Sequence, residues 1–164
     1  MRCYEHGSIE RAELMNPTLK LLLAIQVAAV STSALADARK CQTLYNSGEN
    51  DAAFTHCLNA ANDGDVNAQE TLAFMYVMGK GTEVDDEKAF RYYKLAADNG
   101  SSVAQLTVGN KYNNGEGVPQ NYASAEKYWL MAAKRGNPHA QTALGQIYTD
   151  GTKTERDLDS ALKW

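Results

Sequence analysis

The chain has 164 residues, a formal net charge of −4 and only three histidines. This mild acidity argues against a nucleic-acid-binding protein, which needs a basic stripe to neutralise phosphates, and against attraction to an anionic membrane. Beyond residue 36 only His56 and His139 remain, and no serine lies beside a plausible base, so the sequence predicts no acyl-transfer triad.

The N-terminal region has the pattern of an export signal. Residues 15–36 contain a lysine, then an apolar run, then small residues that end at Ala36. This order is typical of a secretory signal peptide, with cleavage expected between Ala36 and Asp37. The apolar run is shorter than the roughly 20 residues that cross a bilayer, and an uncleaved anchor is the alternative.

Residues 1–14 are charged and unlike the start of a signal, so we expect Met15 to be the true start and residues 1–14 to be an upstream artefact. The mature chain is therefore expected to be periplasmic or secreted, with no integral membrane segment.

Residues 37–64 are predicted to form a helical hairpin that caps the N-terminal end of the fold. Residues 51–64 carry small apolar side chains at helical spacing, and the partner helix is predicted at 38–45. An atypical terminal unit of this kind is typical of a capping repeat.

Two cysteines remain in the mature chain, Cys41 and Cys57. A hairpin turn near Gly48 places them opposite each other on antiparallel helices, and in an oxidising compartment an even pair is expected to form a disulfide. For a loop of about 15 residues this bond contributes roughly 3 kcal/mol in the chain-entropy model. Two buried free thiols are the alternative. A metal site that adds His56 would need one more ligand, so we predict no metal.

From residue 65 onward the sequence repeats every 36 residues without a gap, in copies at 65–100, 101–136 and 137–164. Self-similarity at such a period is typical of stacked supersecondary units. The third copy is incomplete, so we expect a truncated last unit. The recurring positions include Ala68, Ala104 and Ala140; Gln69, Gln105 and Gln141; Tyr76, Tyr112 and Tyr148; Gly79, Gly115 and Gly151; and Ala89, Ala125 and Ala161.

Each copy is predicted to hold two helices, because apolar residues recur at i, i+4 and i+8 and no strand alternation is present. A glycine ends each unit, where a left-handed residue is needed, and a good N-cap residue follows it. These glycines are Gly64, Gly100 and Gly136. The predicted N-caps are Asp65, Ser101 and Asn137 for the first helices and Asp85, Asn121 and Asp157 for the second.

The repeat resembles the Sel1-like repeat family, a branch of the tetratricopeptide-like helical solenoids. The copies depart from the family pattern at Ala73, Thr82 and Lys153. The resemblance implies an all-α fold, an α/α solenoid, with a protein-interaction role and no shared catalytic residues or cofactor. The best match comprises Ala104, Gly109, Tyr112, Gly115, Gly117, Val118, Asn121, Ala125, Tyr128, Trp129, Ala132, Ala133 and Gly136.

In a helical solenoid the first helix of each unit is expected to line the concave surface. Candidate binding positions lie beside the apolar stripe and differ between copies, as expected if they face different parts of a protein or peptide partner; unconstrained surface is the alternative. Phe74 and Met78 are the best anchors, because large apolar side chains off the core suit an interface. The candidates are Asn67, Thr71, Phe74, Met78, Val103, Thr107, Asn110, Asn114, His139 and Gln146, with Ala143 and Asp150 in the same row.

Two classes of function follow. The first is a scaffold, adaptor or regulator in the bacterial envelope. The second is a small-ligand binder or an enzyme that acts on β-lactams, because some cysteine-rich secreted relatives are associated with penicillin binding. Those relatives carry a cysteine pair in each unit, whereas this chain has one pair in total.

The glycine-rich segment 79–82 resembles a phosphate loop, but no strand precedes it, so a turn between helices is predicted.

Overall fold

The computed structural model describes residues 17–150, with side chains from 32 to 149. This part of the chain is all-α, as predicted: it forms seven helices and no strand. The predicted features Gly151, Lys153, Asp157 and Ala161 lie outside the described residues. The helices are α1 (Pro17–Ser47), α2 (Asn50–Asn62), α3 (Val66–Met78), α4 (Asp86–Asp98), α5 (Ser102–Asn114), α6 (Tyr122–Lys134) and α7 (Pro138–Asp150).

The chain divides into two compact units, Met1–Ala36 and Asp37–Trp164. Helix α1 runs through this boundary, so it is much longer than the helix predicted at 38–45. Among the described residues, no helix has both the length and the apolarity that a membrane span requires.

From α2 onward each helix packs against the next one in the chain, which gives a stack of helix pairs. Alanine dominates the contacts, and small side chains allow neighbouring helices to approach closely. The alanines that recur at every 36th position are therefore core positions. Those buried most completely are Ala53, Ala60, Ala89, Ala96, Ala97, Ala104, Ala125, Ala132 and Ala140.

The helix ends have the predicted chemistry. At the first helices, the side chains of Asp65 and Ser101 accept hydrogen bonds from Ala68 N and Ala104 N, at 2.7 and 3.0 Å. Asp85 accepts in the same way from Lys88 N at 2.9 Å. Asn121 and Asn137 make the equivalent bonds. The glycines that close the units have positive φ, as the prediction requires: 94° at Gly64, 97° at Gly100 and 81° at Gly136.

The second loop glycine of each described unit has a tertiary role as well as a left-handed conformation. A Cβ added to Gly81 would overlap the backbone of Asn50, and one added to Gly117 would overlap the backbone of Asp86. Both contacted residues begin the second helix of the preceding unit. These loops therefore pack tightly against the N-terminus of a neighbouring helix, where only glycine fits.

The recurring glutamines connect successive units. Gln69 Nε2 donates to the carbonyl oxygen of Ala61 at 3.1 Å, and Gln105 Nε2 donates to that of Ala97 at 3.0 Å. Gln141 reaches the carbonyl oxygen of Ala133 at 3.5 Å. Each acceptor lies in the last turn of the preceding helix, where carbonyl groups lack partners within the helix. The sequence shows the recurrence of glutamine but gives no reason for it.

Aromatic rings link the helices in two equivalent sets. Tyr76 stacks on Tyr92 at 5.9 Å within one unit and meets the edge of Phe54 from the preceding helix at 5.5 Å. Phe90, Tyr112 and Tyr128 repeat the arrangement one unit later. The tyrosines at these positions therefore pack between helices.

The N-terminal hairpin turns at Gly48, between α1 and α2, and brings Cys41 and Cys57 together. Their sulfurs are 2.06 Å apart and their Cα atoms 4.6 Å apart, and both residues are buried. The disulfide placement agrees with the prediction and differs from the free-thiol alternative. His56 Nδ1 instead pairs with Asp37 Oδ1 at 2.6 Å.

Candidate binding face

The ten candidate binding residues lie on α3, α5 and α7, and none of them is buried. We call this row the first-helix face. Eight of its members are exposed, and Thr71 and Thr107 are partly exposed. The face is therefore accessible in the described part of the chain, as a binding role requires.

The face is apolar at its α3 end. Phe74 is 39% exposed, Met78 54% and Val103, on the neighbouring first helix, 58%. The Phe74 ring meets the edge of the Tyr45 ring at 6.4 Å, and the Lys80 ammonium lies over both rings, at 5.8 and 4.9 Å. Phe74 is thus held by neighbours while much of its ring remains open to solvent, so little side-chain freedom would be lost on binding.

The face becomes polar between α5 and α7, where a groove of about 480 Å³ opens. Its two walls are equivalent positions of successive units: Asn110 and Asn113 on one side, Gln146 and Thr149 on the other. The volume falls within the roughly 300–1,000 Å³ of ordinary ligand pockets. The described lining is Asn110, Asn113, Trp129, Ala143, Gln146, Ile147 and Thr149.

Trp129 fixes one wall of this groove. It is only 5% exposed, and its indole N–H donates to Asn110 Oδ1 at 3.0 Å. Because the amide oxygen is engaged in this way, the orientation of the Asn110 amide is set, and its NH₂ group faces away from the indole.

Two predicted face residues, Asn114 and Thr107, make local hydrogen bonds that the sequence did not reveal. Asn114 accepts from Asn113 Nδ2 and donates to Glu116 Oε1, both at 2.8 Å. The hydroxyl of Thr107 donates to the carbonyl oxygen of Val103, within its own helix, at 3.0 Å. These side chains are less available to a partner than Asn110 or Gln146.

The electrostatic character of the face is neutral. None of its ten positions is Asp, Glu, Lys or Arg, although such residues make up 22% of the chain. The adjacent cavity of about 230 Å³ differs, because Arg39 and Asp65 line it together with Asn67 of the face. Burial raises the pKa of Tyr93, a partly buried residue of α4, to about 12.

Metal chemistry has no support in the described residues, which contain no group of three or more His, Cys, Asp or Glu placed to hold an ion. The cysteines that a metal would need are joined to each other, and His56 is paired with Asp37.

Sequence comparison identifies Sel1 repeats at residues 66–101, 102–137 and 138–164, which together make up more than half of the chain. No curated protein matches the chain significantly. Among solved structures, a Sel1 repeat protein from Oxalobacter formigenes is similar, at 32% identity and a TM-score of 0.63 over 70% of this chain and 33% of its own.

Two further structures are similar. A protective antigen of uropathogenic Escherichia coli with an SLR fold has 27% identity and a TM-score of 0.72, over 86% of this chain and 30% of its own. Cysteine rich protein B of Helicobacter pylori has 26% identity and a TM-score of 0.58, over 76% of this chain and 95% of its own. The chain thus spans about a third of the length of the first two. With three matched repeats on an all-helical stack, the chain belongs to the Sel1 repeat family.

Proposed function

We propose that this protein is an exported adaptor that binds a polypeptide partner through the first-helix face. The observation that carries the proposal is the contrast between two kinds of position in one repeat. The core position of Ala68 recurs as alanine in every copy and is buried in each, whereas three of the four face positions differ in every copy. The exception is Thr71, which recurs as Thr107, and all ten candidate residues are at least partly exposed. A repeated scaffold with a varied accessible row suits recognition of one extended partner.

Export is supported by two independent features. The boundary between the compact units falls between Ala36 and Asp37, which is the cleavage position expected from the signal pattern. The buried disulfide suits an oxidising compartment such as the periplasm or the exterior. N-terminal sequencing of the mature protein should begin at Asp37, and a chain that retains the preceding residues would contradict cleavage there.

An enzymatic role is not proposed. The described lining of the groove contains no carboxylate, imidazole or thiol, and its one hydroxyl, on Thr149, donates to the backbone of its own helix. General acid–base or nucleophilic catalysis needs such groups within hydrogen-bond reach of a substrate. We therefore expect no hydrolysis of a chromogenic cephalosporin, and turnover above that of a denatured sample would restore the β-lactam alternative.

Site-specific crosslinking in the native host tests the interaction proposal. A photoreactive residue at Met78 or Val103 samples the face, and one at Leu95 is the matched control, because Leu95 is an exposed apolar residue (47%) on α4. We expect the two face positions to give the same discrete adduct and the Leu95 position to give none. Equal adducts from all three positions, or none from the face, would refute the proposal.

A further inference from the structure

We infer that Lys111, Asp86 and Glu116 form a charge cluster that governs how firmly the second repeat is held to the first, so that the stack has a joint at this junction. The inference goes beyond the proposed function, because it concerns motion within the stack and not the partner. It follows from the burial of Lys111, from its distances to two carboxylates and from the residues at the equivalent positions of the neighbouring repeats.

Lys111 places a charge in the core. The residue is only 5% exposed and lies in the last turn of α5. The equivalent residues of the other repeats, Met75 and Ile147, are apolar and buried. A buried ammonium group is unfavourable unless it is both paired and hydrogen-bonded. Its position near the helix C-terminus, which favours a cation, offsets part of this cost.

Two carboxylates compensate this charge incompletely. Lys111 Nζ lies 3.8 Å from Asp86 Oδ1 and 3.9 Å from Glu116 Oε2. Both distances exceed the roughly 3.2 Å of an ordinary N–H···O bond, so neither carboxylate accepts a hydrogen bond from the ammonium group. The two carboxylate side chains are 56% and 55% exposed, so the surrounding water weakens their attraction to Lys111.

The charge cluster spans two repeats. Asp86 begins α4, the second helix of the first repeat, whereas Lys111 and Glu116 lie in α5 and in the loop that follows it. Gly117, in the same loop, packs against the backbone of Asp86. The stability of a repeat stack is approximately a sum of unit terms and nearest-neighbour interface terms. A poorly compensated charge at this interface therefore weakens one junction and leaves the others unaffected.

The neighbouring repeats lack this set of charges. The preceding junction has Asn50, Met75 and Lys80 at the equivalent positions, and Lys80 lies over aromatic rings instead. The equivalent residues of the following repeat are uncharged: Tyr122, Ile147 and Thr152. The two carboxylates thus accompany the buried lysine at one junction, as expected if they compensate it.

A weak junction at this place acts on the first-helix face. Helices α3 and α5, which belong to the first and second repeats, carry eight of its ten positions. Opening of the junction changes the alignment of these two helices. The charge cluster therefore sets how readily the face changes its shape.

Native-state hydrogen exchange of the whole protein tests the joint. Lys111→Met installs the residue of the first repeat, and Lys127→Met is the matched control, because Lys127 is an exposed lysine on α6. Replacing a poorly compensated buried charge by an apolar residue of similar volume is often stabilising. We expect Lys111→Met to slow amide exchange in α5 at least about fivefold and to leave α2 within about twofold of the wild type. Lys127→Met should change neither helix.

Glu116→Gln is an independent test, whose sign separates the charge cluster from general helix effects. Glu116 follows the C-terminus of α5, where a negative charge is unfavourable to the helix, and glutamine keeps an acceptor for Asn114 Nδ2. Without the charge cluster, this change should be neutral or should slow exchange. With it, Lys111 loses compensation, so α5 should exchange at least about threefold faster. In the Lys111→Met background this acceleration should disappear.

Three results would overturn the inference. Exchange in α5 that Lys111→Met fails to slow would show that the lysine does not weaken the junction. Equal slowing in every helix, α2 included, would show that the protein opens only as a whole. An effect of Glu116→Gln that is the same in the wild type and in the Lys111→Met background would show that this carboxylate does not act through Lys111.

Discussion

The packing of Gly109 against Trp129 allows a quantitative test of how the two helices of one repeat fit together. Gly109 lies within α5 and is buried, and a Cβ added there would come within 3.0 Å of Trp129 Cγ, with Cδ1 and Nε1 closer still. Real Cβ atoms do not approach a ring so closely, so the Gly109→Ala variant must displace the indole. Displacement would also strain the hydrogen bond from the indole to Asn110.

Two opposing effects set the magnitude. Alanine is the better helix former, by roughly 0.5–1 kcal/mol in a helix interior. Overpacking of a well-packed core costs about 1–3 kcal/mol. Since the ring is held on several sides by α5 and α7, we expect the second effect to dominate and Gly109→Ala to lower the free energy of unfolding by about 1–2 kcal/mol.

The first repeat supplies a compensating change. It has Ala73 and Tyr93 at the positions that hold Gly109 and Trp129 in the second repeat. The double variant Gly109→Ala/Trp129→Tyr should therefore recover stability relative to the sum of the single changes, by about 1 kcal/mol or more, which is within the range of coupling between contacting residues.

Denaturant unfolding of the wild type, both single variants and the double variant, followed by circular dichroism, gives the four free energies. If Gly109→Ala proves as stable as the wild type, or if the two substitutions are simply additive, this account of the packing is incorrect.

Three further changes have predicted outcomes. Gln105 Oε1 is buried with no hydrogen-bond partner in the described chain. In the preceding repeat the equivalent atom, Gln69 Oε1, accepts a hydrogen bond from Asn99 Nδ2 at 3.1 Å. The second repeat has Arg135 at the position equivalent to Asn99. Arg135→Asn should thus raise the unfolding free energy by about 0.5–1.5 kcal/mol, and an unchanged denaturation midpoint would contradict this. Replacing Cys41 and Cys57 together by alanine should cost about 3 kcal/mol, and reduction of the wild type should lower its melting temperature comparably; a reductant-insensitive wild type would oppose it. Burial raises the pKa of Tyr93 to about 12. The protonated side chain therefore contributes its full stabilisation below about pH 10, the ordinary pKa of tyrosine. This contribution is lost as the pH rises towards the raised pKa. Tyr93→Phe should lose less stability than the wild type between about pH 9 and pH 11.5, and equal losses would argue against this assignment.

Local features of the fold were predictable from sequence because they depend on residues close together in the chain. The N-caps at Asp65 and Ser101 are fixed by an amide three residues on, and the left-handed backbone at Gly64 and Gly100 is a property of glycine itself. The repeat period then extends each local rule to the next unit.

Other features were not predictable, because they depend on neighbours distant in the chain. The bond between Asn110 and Trp129 joins residues 19 positions apart, and Gly81 is required by the backbone of Asn50. Asn114 is hydrogen-bonded to Asn113 and Glu116, whereas Asn110, on the same helix, is bonded to Trp129. This difference also follows from what surrounds each side chain. The contact between Gly109 and Trp129 does leave a signal in the sequence. The second repeat pairs the smaller Gly109 with the larger Trp129, where the first repeat pairs Ala73 with Tyr93.

The central claim is that the first helices form the binding face. The most direct measurement is hydrogen–deuterium exchange of the mature chain, alone and bound to the partner recovered by crosslinking at Met78. We predict that binding slows exchange in α3, α5 and α7, because the partner covers these helices, and leaves the second helices of the units, α4 and α6, nearly unchanged. Slower exchange concentrated in α4 and α6, with α3, α5 and α7 unaffected, would contradict the account.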